Sequence, residues 1–127
     1  MRELTGHKVN PANDVLKVLV HDEPGSGGAN HEYSIGVPAP AAEAATSTAT
    51  TYPIRFQNGP IAEVGVNGIT HEALLAILID RMEGFQAGPY ASHDNQEALD
   101  AMRVAQTALQ RRTLARMARG VEGTHQK

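Results

Sequence analysis

The sequence predicts an α+β fold, with an N-terminal antiparallel β-sheet of about four strands followed by a C-terminal antiparallel two-helix hairpin. Three observations carry this reading. β-Branched runs punctuated by glycine- and proline-rich turns fill the first half, apolar residues recur at helical spacing in the second, and a Gly-Pro pair divides the helical part. The 127 residues make one domain's worth of chain, divided into a sheet part at 1–69 with a mobile loop at 38–51 and a hairpin at 70–124.

Residues 15–20 (VLKVLV) are apolar and β-branched, residues 24–28 (PGSGG) turn the chain, and residues 31–37 resume strand character, so a hairpin is expected. Residues 38–51 are almost wholly Ala, Pro, Thr and Ser and offer too little bulky apolar surface to offset the entropy of ordering them. A second strand pair is expected at 52–57 and 61–66, reversed at Asn58-Gly59-Pro60, because Asn-Gly tolerates the positive φ of a tight turn.

The first long helix is expected over 71–86, with Thr70 as N-cap and Glu72 at the positive end of its dipole. Leu74, Leu75, Leu78, Met82 and Phe85 form its expected buried stripe, and Gly88-Pro89 ends it. The second helix is expected over 94–119, capped by Ser92 or Asp94 and closed by Gly120. Its seam steps through Ala98, Met102, Ala105 and Leu109, reaching back to Asn95 and forward to Arg112 and Arg116.

Composition excludes several functions. With no cysteine there are no disulfides or thiolate metal sites, and no early apolar run reads as a signal peptide or membrane span, so the cytosol is the expected compartment. A net charge of −3 argues against a general nucleic-acid coat. The six histidines are not paired at ligand spacing, and His71-Glu72 lacks the second histidine of a zinc helix motif. No nucleophile elbow, P-loop or dinucleotide fingerprint occurs, so no catalytic residue, metal or cofactor is nominated. His31 and Tyr33 alternate onto one strand face, where they either reach a pocket or cover the helices.

Charge is nonetheless uneven. Of eight arginines, five (Arg103, Arg111, Arg112, Arg116, Arg119) fall between 103 and 119 with no acidic residue among them. An arginine on a packing seam needs a partner, since leaving it buried and unpaired costs several kcal/mol. One candidate is internal, with Glu72 or Glu63 at the facing end of the hairpin; the other is a ligand phosphate, which the guanidinium fork grips bidentately. Asn95 and Arg112 are about 25 Å apart along a helix rising 1.5 Å per residue, so one small ligand touches both only if two chains build the pocket. Phe85, Gln86 and Tyr90 lie beside Asn95 at the bend, where an aromatic either stacks on a base or closes the core.

Taken together, DEPGSGGANHEY (22–33), FQNGPI (56–61), GVNGITHEALL (65–75), GFQAGPY (84–90) with Asn95, and RTLARMARGVEG (112–123) resemble the bacteriophage anti-Thoeris and anti-CBASS sponge proteins. The likeness covers the hairpin over about residues 70–124, and the preceding sheet resembles the anti-Thoeris branch. The resemblance implies a protein that sequesters immune signalling nucleotides without cleaving them. Cyclic ADP-ribose isomers would sit at an interface of two subunits, and cyclic di- or trinucleotides at separate sites in a hexamer of three dimers. It further implies that Phe85 stacks on adenine, Asn95 hydrogen-bonds base or ribose, and Arg112 grips the pyrophosphate with Arg116 one turn on. His31, Tyr33 and Gln57 are the β-side candidates, with Gln86 and Tyr90 at the bend. An enzyme that degrades such a messenger, or a small nucleic-acid or interaction protein, is the competing reading.

Overall fold

The computed structural model describes residues 1–40 and 49–124. The chain forms two compact units, residues 1–59 and residues 60–127.

The first unit is a four-stranded antiparallel meander, β1 (Arg2–Leu4), β2 (Lys17–Val20), β3 (Glu32–Val37) and β4 (Thr50–Arg55), in that spatial order. β2 runs against β3 with Val18 opposite Ile35 and Val20 opposite Tyr33. β1 and the single-turn helix α1 (Pro11–Asp14) lie ahead of the first strand expected from sequence. α1 starts where Asn10 caps the Asn13 amide at 3.1 Å and Pro11 supplies a φ suited to a first helical turn. Of the stretch expected as a loop at 38–51, residues 41–48 lie outside the described residues, and Thr50 and Thr51 begin β4. Pro53 fits within β4 because the strand is an edge, where a missing N–H costs no ladder bond. Val20 is 1% exposed, and Ser34, also buried, meets His21 Nε2 at 2.6 Å.

The second unit opens with α2 (Ile61–Val64) where a strand was expected. Pro60 stands at its N-cap position and Gly65, at φ 73°, ends it, so these residues close a local turn of helix instead of extending. Two long helices follow, α3 (His71–Gln86) and α4 (His93–Ala118). Both starts are capped as their sequences predict: Thr70 Oγ1 accepts the Ala73 amide at 3.2 Å, and Ser92 Oγ accepts the Asn95 amide at 3.1 Å. Gly120 adopts φ 71° just past α4, the left-handed turn that lets the Gly120 and Val121 amides reach the carbonyls of Met117 and Arg116. Cross-links from Gln86 to Gln96 and from Glu83 to Arg103 run in opposite sequence directions, which makes the pair antiparallel.

The seam keeps Leu74, Leu75 and Met82 of the stripe expected on α3 and Asn95, Met102, Leu109 and Arg116 of that expected on α4, and it differs at the positions between them. On α3 the covered positions are Glu72, Leu74, Leu75, Ile79, Met82 and Gln86; on α4 they are Asn95, Gln96, Leu99, Met102, Gln106, Leu109, Thr113 and Arg116. Both series recur mainly at steps of three and four. Centring the stripe on Leu99 instead of Ala98 buries a far larger apolar side chain, at about 25 cal/mol per Å² removed from water. Leu78 and Phe85, expected on the buried stripe, are therefore 48% and 42% exposed, and Ala98, Ala105 and Arg112 face outward.

Candidate functional site

That seam sorts the candidate ligand residues into two groups. Gln86 and Arg116 lie on the seam and are committed to holding the hairpin. Phe85 and Arg112 lie off it.

At the bend, Gln86 Nε2 donates to the Ser92 carbonyl at 3.0 Å and to Gln96 Oε1 at 3.1 Å, while its Oε1 accepts the Ser92 amide at 2.9 Å. One side-chain amide thus fixes the 87–92 turn to the start of α4. Asn95 is half-buried in the first turn of α4, and its Nδ2 donates to the Tyr90 carbonyl at 3.3 Å. The Tyr90 ring is 76% exposed. Phe85 projects from the last turn of α3, and the Arg81 guanidinium sits over its ring, 5.5 Å from the centroid. Phe85, Tyr90 and Asn95 therefore share the bend end of the hairpin, on a turn that Gln86 makes rigid.

At the other end of α4, Arg116 Nε donates to Glu122 Oε2 at 2.9 Å, and one terminal nitrogen donates to the carbonyls of Val121 and Thr124 at 2.8 and 3.2 Å. The carboxylate that meets Arg116 at this distance is Glu122, from the segment after the helix, a partner the sequence reading did not name. Val121 is buried, and the Gly123 carbonyl accepts the Ala62 amide at 3.1 Å, which ties this segment to α2. Arg112 is exposed and makes no hydrogen bond or ion pair with another described residue. Arg103 is spoken for by Glu83 at 3.0 Å and Asp100 at 3.9 Å.

In the first unit, Asp22 organises the β2–β3 connection. Its carboxylate accepts the amides of His31 (2.9 and 3.1 Å) and Glu32 (3.1 Å). Burial alone would push this carboxyl up, but the Glu32 and His31 amides outweigh it and hold it below the usual aspartate range. His31 is 7% exposed, its Nδ1 makes no hydrogen bond, and its ring lies against Gly25. Tyr33 packs edge-on against Phe56 at 5.7 Å, and Gln57 Nε2 donates to the Gly59 carbonyl at 3.1 Å. The sequence singled out His31, Tyr33 and Gln57; in this unit the first is buried and the other two are engaged with their neighbours.

Two side chains of consequence escaped the sequence reading. Arg81 could have been found from its i, i+4 spacing to Phe85. Glu122 carried no such signal, because its meeting with Arg116 requires the chain to reverse at Gly120.

The hairpin leaves much apolar surface uncovered, including Ile77 (58%), Val104 (69%), Leu114 (63%) and Met117 (59%). A groove of about 410 Å³ lies along α3 and α4, lined by His71, Leu74, Leu75, Leu78 and Leu109. Among the described residues no group of three or more His, Asp or Glu is placed to hold a metal, and no helix is long and apolar enough to cross a membrane.

A family model described as the Acb2/Tad1 hairpin domain matches residues 52–114. Over 74 residues the chain is 40% identical to Thoeris anti-defense 1 of Bacillus phage SBSphiJ7, an alignment covering 58% of this chain and 52% of that relative. The chain thus spans about half the length of the curated relative it matches.

Proposed function

Because the chain belongs to the Acb2/Tad1 hairpin family, we propose that it is a phage anti-defence protein that captures cyclic nucleotide messengers of bacterial immunity and withholds them intact. The observation that supports this most directly is the division of labour on the hairpin. Phe85 and Arg112 are exposed and off the seam, while Gln86 and Arg116 near them take structural tasks. A solvent-facing phenyl ring and a guanidinium without a partner among the described residues are both open to a ligand's base and phosphate.

The two features lie at opposite ends of the hairpin, so a single small ligand meets both only where two hairpins associate. In a two-fold arrangement the Asn95 end of one subunit faces the Arg112 end of the other. The uncovered apolar surface at Ile77, Leu78, Val104, Leu114 and Met117 gives association its driving force, since burying it removes apolar area from water. In such a pocket Phe85 stacks on a purine, Asn95 hydrogen-bonds base or ribose, and Arg112 clamps a pyrophosphate bidentately. Cyclic ADP-ribose isomers fit this combination of base and pyrophosphate. Cyclic di- or trinucleotides occupy separate sites if three such dimers form a hexamer. Arg116 and Gln86 shape the hairpin's part of the site, and Tyr90 stands beside it at the bend; His31, Tyr33 and Gln57 are candidates on the sheet unit, taken by itself.

Sequestration needs affinity and slow release, not turnover, so the proposed mechanism has no catalytic residue, cofactor or metal. It operates in the cytoplasm of the infected host, where the messengers are made. The test is to mix the purified protein with a glycocyclic ADP-ribose isomer, remove unbound ligand, denature by heat, and identify what is released. Stoichiometric recovery of the intact compound is expected; its catalytic conversion would replace the sponge with an enzyme. A duplex-DNA shift at physiological salt, without nucleotide capture, would point to a nucleic-acid role instead.

A further inference from the structure

We infer that Arg81 is a positioning residue for the ligand's base, holding the Phe85 ring in a fixed stacking pose. The inference rests on the reading of Phe85 as the base-stacking side chain. Phe85 is off the hairpin seam and 42% exposed, so interhelical packing does little to fix it. What does contact it is the Arg81 guanidinium, over the ring at 5.5 Å from its centroid. The two residues are one helical turn apart on α3, the spacing at which side chains on a helix surface meet.

Arg81 has no competing task. Its side chain forms no hydrogen bond or ion pair with another described residue, unlike Arg103 and Arg116, each of which has a carboxylate partner. A guanidinium stacked on a phenyl ring is attracted to the ring's negative face, and Arg suits this better than Lys because its charge is spread over a plane. With one face of Phe85 occupied by the cation, a base has the opposite face to stack on, giving the order guanidinium, phenyl, purine. The ring's orientation is then set before the ligand arrives, and the ordering cost at binding falls. Because Arg81 acts through the ring, its effect is confined to ligands that carry a base. An arginine contacting phosphate directly would favour base-free anions too.

The experiment combines two measurements on the full-length protein. Titration calorimetry compares wild type, Arg81→Met, Arg81→Lys, Phe85→Leu and the Arg81→Met/Phe85→Leu double variant, using a glycocyclic ADP-ribose isomer and, separately, inorganic pyrophosphate. Arg81→Met should weaken the ADP-ribose isomer about two- to fivefold, the range of an exposed cation–π contact. It should leave pyrophosphate unchanged, be partly rescued by Arg81→Lys, and have no effect once Phe85 is leucine. An equal loss for pyrophosphate, or an undiminished effect in the Phe85→Leu background, would overturn the inference.

The second measurement needs no ligand. The chain contains two phenylalanines, so phenylalanine-selective labelling yields two ring signals, and Phe85→Leu identifies one of them. In Arg81→Met the Phe85 signal should shift and its side-chain couplings should average over rotamers; an unchanged signal sinks the inference. If wild type binds neither probe, the proposed function falls, and the ring signals still decide whether Arg81 orders Phe85.

Discussion

Arg116 and Glu122 form an ion pair at 2.9 Å that closes the segment after α4 back onto the helix, while Arg112, one turn earlier, is left open to solvent. Two arginines that look alike in sequence thus have different work, and exchanging each for alanine should separate them.

Arg112→Ala should leave the thermal midpoint and native mass unchanged but weaken capture of a glycocyclic ADP-ribose isomer by about 2–3 kcal/mol, the loss of charge-assisted hydrogen bonds to phosphate. Arg116→Ala should lower stability by about 2 kcal/mol, because it releases Glu122 and uncaps the Val121 and Thr124 carbonyls. Differential scanning fluorimetry alongside calorimetry tests both. Equal thermal losses for the two variants would refute the distinction.

Leu99 is 2% exposed at the centre of the α4 seam, whereas Ala98 beside it faces outward. Leu99→Ala should destabilise the hairpin by about 2–5 kcal/mol, the range for deleting a buried leucine. Ala98→Ser should be nearly silent. Chemical denaturation followed by circular dichroism at 222 nm would check the seam, and a reversed ranking would return it to the Ala98 register.

Gly25 has an ordinary negative φ of −112°, so its reason for being glycine is space. A Cβ there would stand 3.0 Å from His31 Cε1 and 3.1 Å from Nδ1, against a ring that is itself buried. Gly25→Ala should therefore cost about 1 kcal/mol or more through displaced packing. Restoration by the double variant Gly25→Ala/His31→Ala would assign the cost to this contact.

Asp22 links the first unit to pH. Its carboxyl is held below the normal range in the folded state by the Glu32 and His31 amides, against the opposing effect of burial. A depressed folded-state pKa stabilises fully above the unfolded value of about 3.9, and that contribution is lost as pH falls through the folded value. Acid unfolding of the sheet should accordingly set in below about pH 4. Asp22→Asn should flatten that part of the profile, and an identical acid limb in both proteins would exclude Asp22 as its source.

What could be read directly from the sequence was whatever depends on neighbours along the chain. Thr70 and Ser92 cap the helices they precede, Gly120 ends α4, and the antiparallel hairpin follows from the Gly-Pro break. These are interactions within a few residues, so composition and spacing suffice. The short stretch 61–64 was misjudged as strand because four apolar-rich residues satisfy either period, and the choice falls to Pro60 and Gly65 at its ends.

Only the tertiary structure decided which stripe of each helix is buried. A 3.6-residue repeat lets two adjacent stripes satisfy the same pattern, and the choice between them depends on which side chains the facing helix can cover. Leu99 and Ile79 meet that demand, which turns Phe85 and Arg112 outward, draws Gln86 in and keeps Arg116 on the seam. The same holds for the Arg116–Glu122 pair, whose carboxylate arrives only after the chain reverses, and for His31 beneath Gly25. Local rules place the helices; mutual packing assigns each of their side chains to structure or to solvent.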